Sequence, residues 1–445
     1  MWRFDFRLTR LISKTCWLNL QQLPMLNLLQ SAMPISQQKG SPTTCAASNM
    51  SHKATGFIRI FIVGDVMLGR GIDQILPYSC DPKLHESYVK DARDYVQLAV
   101  QVNGPLPTER DKNYIWGDAI RVLNAFRPDC RVINLETAVT TSSTPWPHKG
   151  INYRMHPKNV DVIAEAAIDV AVLSNNHTLD WDYAGFDETL ETLSTAQIAT
   201  CGAGKNLAAA RQPAIIKSPG YHLAGSETCG SHRVLVFGLG HRSSGVPVLW
   251  KASQSKAGVN LVYFDSPEDF AALCRLISDN RQSGDIVVIS IHWGGNWGFE
   301  LEPGQTEFAH KLIDNAGVDI IHGHSSHHIK GVEVYKGKLI AYGCGDFLSD
   351  YEGIQSCGGA GSRYQQMRDD LSFMYFVDVE PNTGRLVSLN LVPMELRKLT
   401  VNHVSSGSGY RYLFETMKRE CKKIGQLDIE EAPLFEGIKY FRLVF

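Results

Sequence analysis

The chain has 445 residues, 44% of them hydrophobic and 20% charged, with a formal net charge of -2. That length and apolar content suit one large domain or two, and the near-neutral charge excludes the basic footprint of a nucleic-acid binder. Ten scattered cysteines without a Cys-x-x-Cys pair leave no framework for a zinc ribbon or a disulfide scaffold, and fit buried thiols in a reducing compartment.

Residues 1–55 stand apart. They carry Arg3, Arg7, Arg10, Lys14, Lys39 and Lys53 against a single acidic residue, Asp5. Trp2, Phe4, Leu8, Leu11 and Ile12 fit one helical face. This composition is that of a disordered, transit-like leader, which would make the protein organellar. Alternatively Met50, just before the first predicted strand, is the true start and the protein is cytoplasmic. The apolar run Cys16 to Leu29 is broken by Asn19, Gln21, Gln22, Pro24 and Asn27, too polar to span a membrane.

Beyond the leader, short β-branched runs repeatedly stop at polar clusters. Phe57 to Val63 leads into Gly64-Asp65-Val66-Met67, and Cys130 to Ile133 into Asn134-Leu135-Glu136-Thr137. Asp169 to Leu173 leads into Ser174-Asn175-Asn176-His177, then a helical stretch from Tyr183 to Ala196. A second helical stretch, Pro267 to Asn280, precedes the run Asp285 to Ile291, which ends at His292-Trp293-Gly294-Gly295. Val318 to Ile321 opens into His322-Gly323-His324-Ser325-Ser326-His327-His328. Such runs read as buried strands of an α/β-type sheet. Active sites of such sheets form where strand ends deliver side chains to one edge. From about Val401 onward, an amphipathic helix (Tyr410 to Ile424) and a closing apolar run read as an extension packed on the domain, giving expected boundaries of 1–55, 56–400 and 401–445.

Each residue has a plainer alternative. Asp65 serves as a ligand or as a helix N-cap, and Asn175 as a turn residue with left-handed geometry. Asn176 and His177 carry the strongest individual case, because an Asn-His pair after a buried strand has little packing rationale. Asp180, three residues on, either orients the His177 imidazole or caps the loop. Trp293 and Trp297 are core residues or a substrate wall, Asp346 is site or turn, and His322 and His328 read as bystanders. The sequon Asn176-His177-Thr178, placed within the expected site, speaks against secretion from a eukaryotic cell.

Taken in order, Gly-Asp-Val-Met, Asn-Leu-Glu-Thr, Ser-Asn-Asn-His, Ser-Ile-His-Trp-Gly and Gly-His-Ser-Ser-His resemble the CapA family, the capsule-synthesis and poly-γ-glutamate biosynthesis proteins with a calcineurin-like metallophosphoesterase fold. The likeness runs from about Ile58 to Pro393 and includes the segment Gly331 to Leu348, similar to that family's closing hairpin. The resemblance implies an α+β fold, a four-layer αββα sandwich, with one or two divalent ions (Mn, Fe or Zn) over the strand ends. Residue by residue it implies metal ligation by Asp65, Glu136, Asn176, His292, His324 and His327, with His177 as acid/base, beside which Asp180 is placed as the orienting carboxylate. Two departures stand out. Met67 occupies the place of a histidine in the first motif, where a thioether is a poor ligand for hydrolytic metals. His324 and His327 are separated by two residues where the superfamily has one.

Two functions follow. One is a CapA-like role in poly-γ-glutamate synthesis, with a site that binds a γ-linked glutamate polymer or an anionic small molecule. The other is metal-dependent hydrolysis of a phosphoester or similar bond, with the ions activating water and His177 transferring a proton. Neither involves nucleic acid or a transmembrane segment.

Overall fold

A computed structural model describes residues 56–218, 232–354 and 367–445; the leader, expected over 1–55, lies outside them. Two sheets dominate. In the larger, Ile58–Val66 lies at the centre with Cys130–Leu135, Val170–Val172 and Ala199–Cys201 following in parallel on one side. On its other side Leu371–Val379 and Leu386–Leu396 run antiparallel. The second sheet has the parallel core His232–His241, Ile286–His292 and Ile320–His324, extended by the hairpin Val332–Tyr335 and Lys338–Ala341.

The β-branched runs are strands because both of their faces are buried. Ile58, Ile60 and Ile62 pack in one cluster with Val132, Val170 and Val172, and with Val234, Val236, Ile286 and Val288 of the second sheet. Alternate residues Phe61 and Val63 pack instead with Val122, Phe126, Ile163, Phe186 and Leu193 of the helices Asp118–Phe126, Asp161–Glu165 and Asp182–Thr195. In the second sheet Leu235, Phe237, Val287 and Ile289 meet Leu273, Ile277, Phe308 and Leu312 of Pro267–Asn280 and Gln305–Ala316. At about 1.5–3 kcal/mol for each fully buried aliphatic side chain, these three clusters dominate the favourable side of folding.

Local signals set the helix ends. Pro267–Asn280 begins where Ser266 Oγ accepts the Asp269 N–H at 3.1 Å, with proline at the first position and Glu268 and Asp269 in the first turn, all favourable at a helix N-terminus. The C-terminal helix spans Gly407–Gly425 and buries Leu413, Met417 and Cys421 in the inter-sheet cluster. The strands Asp428–Glu431 and Phe441–Val444 then extend the larger sheet beyond Leu386–Leu396. Among the described residues no helix is long and apolar enough to cross a membrane.

Several alternatives left open by the sequence are decided here. The first strand continues through Val66, and the next helix starts at Arg70 after Gly69, so Asp65 is a strand residue and no cap. Asn175 has no positive φ; its side chain, rather than a left-handed backbone, shapes the turn. Trp293 is 1% exposed within the cluster under the second sheet and donates to the Tyr342 carbonyl at 3.0 Å, which leaves it no surface to offer as a wall.

Candidate metal centre

The centre forms where strands of both sheets end together. Sheet register sets Asp65 opposite Asn134 on one side and Asp346 on the other, and pairs His292 with His324. The approach of the Asp346 strand depends on Gly64, where an added Cβ would lie 1.8 Å from the Gly345 carbonyl oxygen. Only a residue without a side chain permits that contact, and it brings two carboxylates side by side. Ligand atoms of Asp65, Glu136 and Asp346 fall within 4.8 Å of one another, as do those of Asp65, His292 and His324.

Hydrogen bonds fix the protonation of the imidazoles. His322 Nε2 lies 2.6 Å from the Val63 carbonyl. A carbonyl only accepts, so Nε2 holds the proton and, in the neutral ring, Nδ1 is bare. Ser290 Oγ is 3.0 Å from His322 Nδ1 and 3.0 Å from His324 Nε2. The hydroxyl therefore donates to His322 and accepts from His324, which leaves His324 Nδ1 as a lone pair. His292 Nε2 faces Asn176 Oδ1 at 2.9 Å, so its Nδ1 is bare as well. These two bare nitrogens face each other at 2.8 Å, 3.9 and 3.7 Å from Asp65 Oδ1. Three electron-rich atoms pointed at one another in a buried cup could hold a cation.

Electrostatics agree with that reading. Burial first, then the neighbouring Asp346, pushes Asp65 up to about 7 although Asn134 and Ser325 donate to it. Burial and the charge of Asp65 push Glu136 well above the usual carboxylate range. Burial holds His292 and His324 well below 6.5, as neutral ligands, and His322 at about 4. Burial disfavours the charged form of His327, but Asp346 at 2.9 Å outweighs it and raises the imidazole to about 9. Carboxylates that resist ionisation near one another become fully ionised once a divalent charge joins them.

On the other side, His177 Nδ1 lies 2.6 Å from Asp180 Oδ2 and its Nε2 3.8 Å from Glu136 Oε1. Lys149 Nζ sits 2.7 Å from Asp180 Oδ1. Burial brings His177 down to about 4, so the neutral ring donates Nδ1–H to Asp180 and aims its Nε2 lone pair at the centre. Asn175 holds this turn: its amide donates to Asn134 Oδ1 and the Leu135 carbonyl, and its oxygen accepts the His177 N–H at 3.0 Å.

The structure thus brings Asp65, Glu136, Asn176, His177, Asp180, His292, His324 and His327 to one place. Met67 is buried as well, its sulfur accepting the Gly69 N–H at 3.1 Å. His322, read as a bystander, sets the His324 tautomer instead. His328 bonds the Ile329 carbonyl and the Gly298 N–H and serves its own loop. Sequence reasoning missed Asn134, Ser290 and Ser325. The first two were within reach: Asn134 is two residues before Glu136, and Ser290 is two before His292 on one strand face.

The sequence profile of the family described as Bacterial capsule synthesis protein PGA_cap matches residues 59–351, a span that holds every residue of the centre. A probable polyglutamine synthesis accessory protein of Mycobacterium tuberculosis is 40% identical over 370 residues, which cover 83% of this chain and 92% of that protein. Capsule biosynthesis protein CapA of Bacillus anthracis is 23% identical over 384 residues, 85% of this chain and 77% of that one. PGA biosynthesis protein CapA of Bacillus subtilis is 26% identical over 291 residues, covering 65% and 62% respectively.

Proposed function

This chain belongs to the bacterial capsule synthesis protein family PGA_cap, and from that premise we propose that it is a CapA-like protein of poly-γ-glutamate biosynthesis whose centre holds a divalent cation. The observation that carries the cation is the pair of bare imidazole nitrogens 2.8 Å apart beside Asp65. Asp65, His292 and His324 would hold one ion, and Asp65, Glu136 and Asp346 a second, with Asn176 and His327 beside them. Mixed imidazole and carboxylate donors suit Mn, Fe or Zn. The fold reading that accompanies this is the four-layer αββα sandwich, supported by strand faces that alternate between an inter-sheet cluster and clusters with helices. Residues 56–400 form the domain and 401–445 the extension on it. The partner is a γ-linked glutamate polymer or an anionic small molecule.

The test is elemental analysis of purified protein, followed by binding of γ-linked glutamate polymer. Protein that neither retains nor is stabilised by Mn, Fe or Zn ends the cation reading. Metal-loaded protein that ignores the polymer ends the polymer reading alone.

The second reading, metal-dependent hydrolysis, is favoured by His177. Its Nε2 lone pair faces the centre, and Asp180 is ready to stabilise the ring once protonated, as a general base requires. A bound ion would supply Lewis-acid polarisation of a phosphoryl or carbonyl oxygen. Turnover of generic phosphoesters by the metal-loaded protein, lost in His177→Gln, supports this reading, and no turnover with any of the three metals ends it.

A further inference from the structure

Arg70 is only 4% exposed, yet its backbone is left-handed at φ 46°, which a side-chain-bearing residue keeps only where its surroundings impose it. Its flanking glycines make room: a Cβ on Gly69 would press on Tyr153 and Arg154, and one on Gly71 on Tyr95 and Asp350. The guanidinium forks onto Asp350, and Nη1 lies 2.9 Å from Glu86 Oε1 and 3.0 Å from the Tyr95 hydroxyl. Four of its five N–H donors are thus taken, and its charge is met by two carboxylates.

What the guanidinium does reach is aromatic. It lies 3.9 Å from the ring centre of Tyr95, 4.8 Å from that of Tyr153 and 5.6 Å from that of Tyr351, within the range of cation–π attraction. Tyr153 stacks on His177 at 3.9 Å, and Tyr351 meets His327 edge-on at 5.3 Å. The two tyrosines therefore bridge the histidines that flank the cup, with their hydroxyls 2.9 Å apart. Burial keeps both phenols protonated, and both sense the charge of Glu136. Two hydroxyls joined by one hydrogen bond use one of their two protons on each other, which leaves one O–H for a further acceptor.

We infer that Tyr153 and Tyr351 form an oxyanion clamp, positioned by Arg70, that donates to a phosphoryl or carboxylate oxygen of the ligand taken at the centre. The inference rests on the reading of the centre as a cation site that receives an anion. The Asp350–Glu86–Arg70 network holds the ring planes, and the hydroxyl pair makes the contact.

The test is calorimetric titration of the full chain, metal-supplemented, with inorganic phosphate in one arm and γ-glutamyl-glutamate in the other. Removing both hydroxyls, in Tyr153→Phe/Tyr351→Phe, should weaken the anion that the wild type binds by about tenfold, the weight of one hydrogen bond to a charged group, at unchanged metal content. Arg70→Lys, which keeps the charge but loses the fork, should weaken it as well. In a Tyr153→Phe/Tyr351→Phe background the same change should add nothing further, because a positioning residue acts only through the hydroxyls, whereas a purely structural role would add independently. Unchanged affinity in the double Phe variant, metal loss in step with affinity, or a wild type that binds neither anion overturns the clamp. Wild-type protein that retains no metal sinks the cation reading instead; the Phe comparison is then made without metal and still decides the clamp.

Discussion

Ser290→Ala removes a single oxygen, yet two imidazoles depend on it. Ser290, His322 and His324 are all 0% exposed, so no water replaces the hydroxyl. The change strands His324 Nε2–H and His322 Nδ1, each now 3.0 Å from that oxygen. An orphaned buried polar group costs about 1–3 kcal/mol, so the two together cost about 2–6 kcal/mol, more than a surface serine would account for. Metal binding should suffer separately. Without an acceptor at Nε2 the His324 ring is free to move its proton to Nδ1, the atom that faces Asp65, and such supporting contacts are commonly worth 10–100-fold in affinity. Urea unfolding of metal-free protein measures the first effect, and competition titration with a chelating dye the second. A stability change below about 0.5 kcal/mol with unchanged metal affinity would refute the tautomer argument, because the serine would then carry neither proton.

Metal binding should strengthen with pH. The imidazoles of His177 and His322 fall to about 4, and those of His292 and His324 also lie below 6.5. The unfolded chain takes protons that these rings refuse, so their stabilising contribution is whole above 6.5 and is lost as pH falls towards 4. Asp65, raised from 3.8 to about 7, works in the opposite sense, stabilising below 3.8 and losing that contribution as pH rises through about 7. A cation needs neutral imidazoles and ionised carboxylates, so the rise in Tm on adding metal should grow between about pH 5 and about pH 7.5; an equal rise at both would contradict the donor set. Gly64→Ala forces a Cβ to within 1.8 Å of the Gly345 oxygen and should cost about 3 kcal/mol by denaturant titration; a wild-type midpoint with intact metal content would show that Asp65 and Asp346 do not depend on that contact. Met67→His offers a nitrogen two residues from Asp65 and, where the wild type retains only the ion of Asp65, His292 and His324, should raise metal stoichiometry from about one towards about two. A wild type already near two would mean that Asp346 and His327 fill that place.

The strands, and the order in which they deliver chemistry, were legible because buried β-branched runs leave no other reading once five of them end in polar clusters. Asp65, Glu136, His177, His292 and His324 were visible for the same reason. Asp346 was only half visible: Gly-Cys-Gly-Asp-Phe reads as a turn until the Asp346–Leu348 strand is seen lying parallel to Ile58–Val66 with Asp346 opposite Asp65. Register between strands some 280 positions apart is a property of the sheet, and no local periodicity encodes it. Arg70 was hidden differently. An arginine between two glycines after a strand reads as a solvated loop cation, and its partners Glu86, Asp350, Tyr153 and Tyr351 come from three separate stretches of chain. A buried arginine survives only where such partners converge. Its left-handed backbone thus points to a set of contacts assembled by the fold, and those contacts end on the rings of Tyr153 and Tyr351, which lie against His177 and His327.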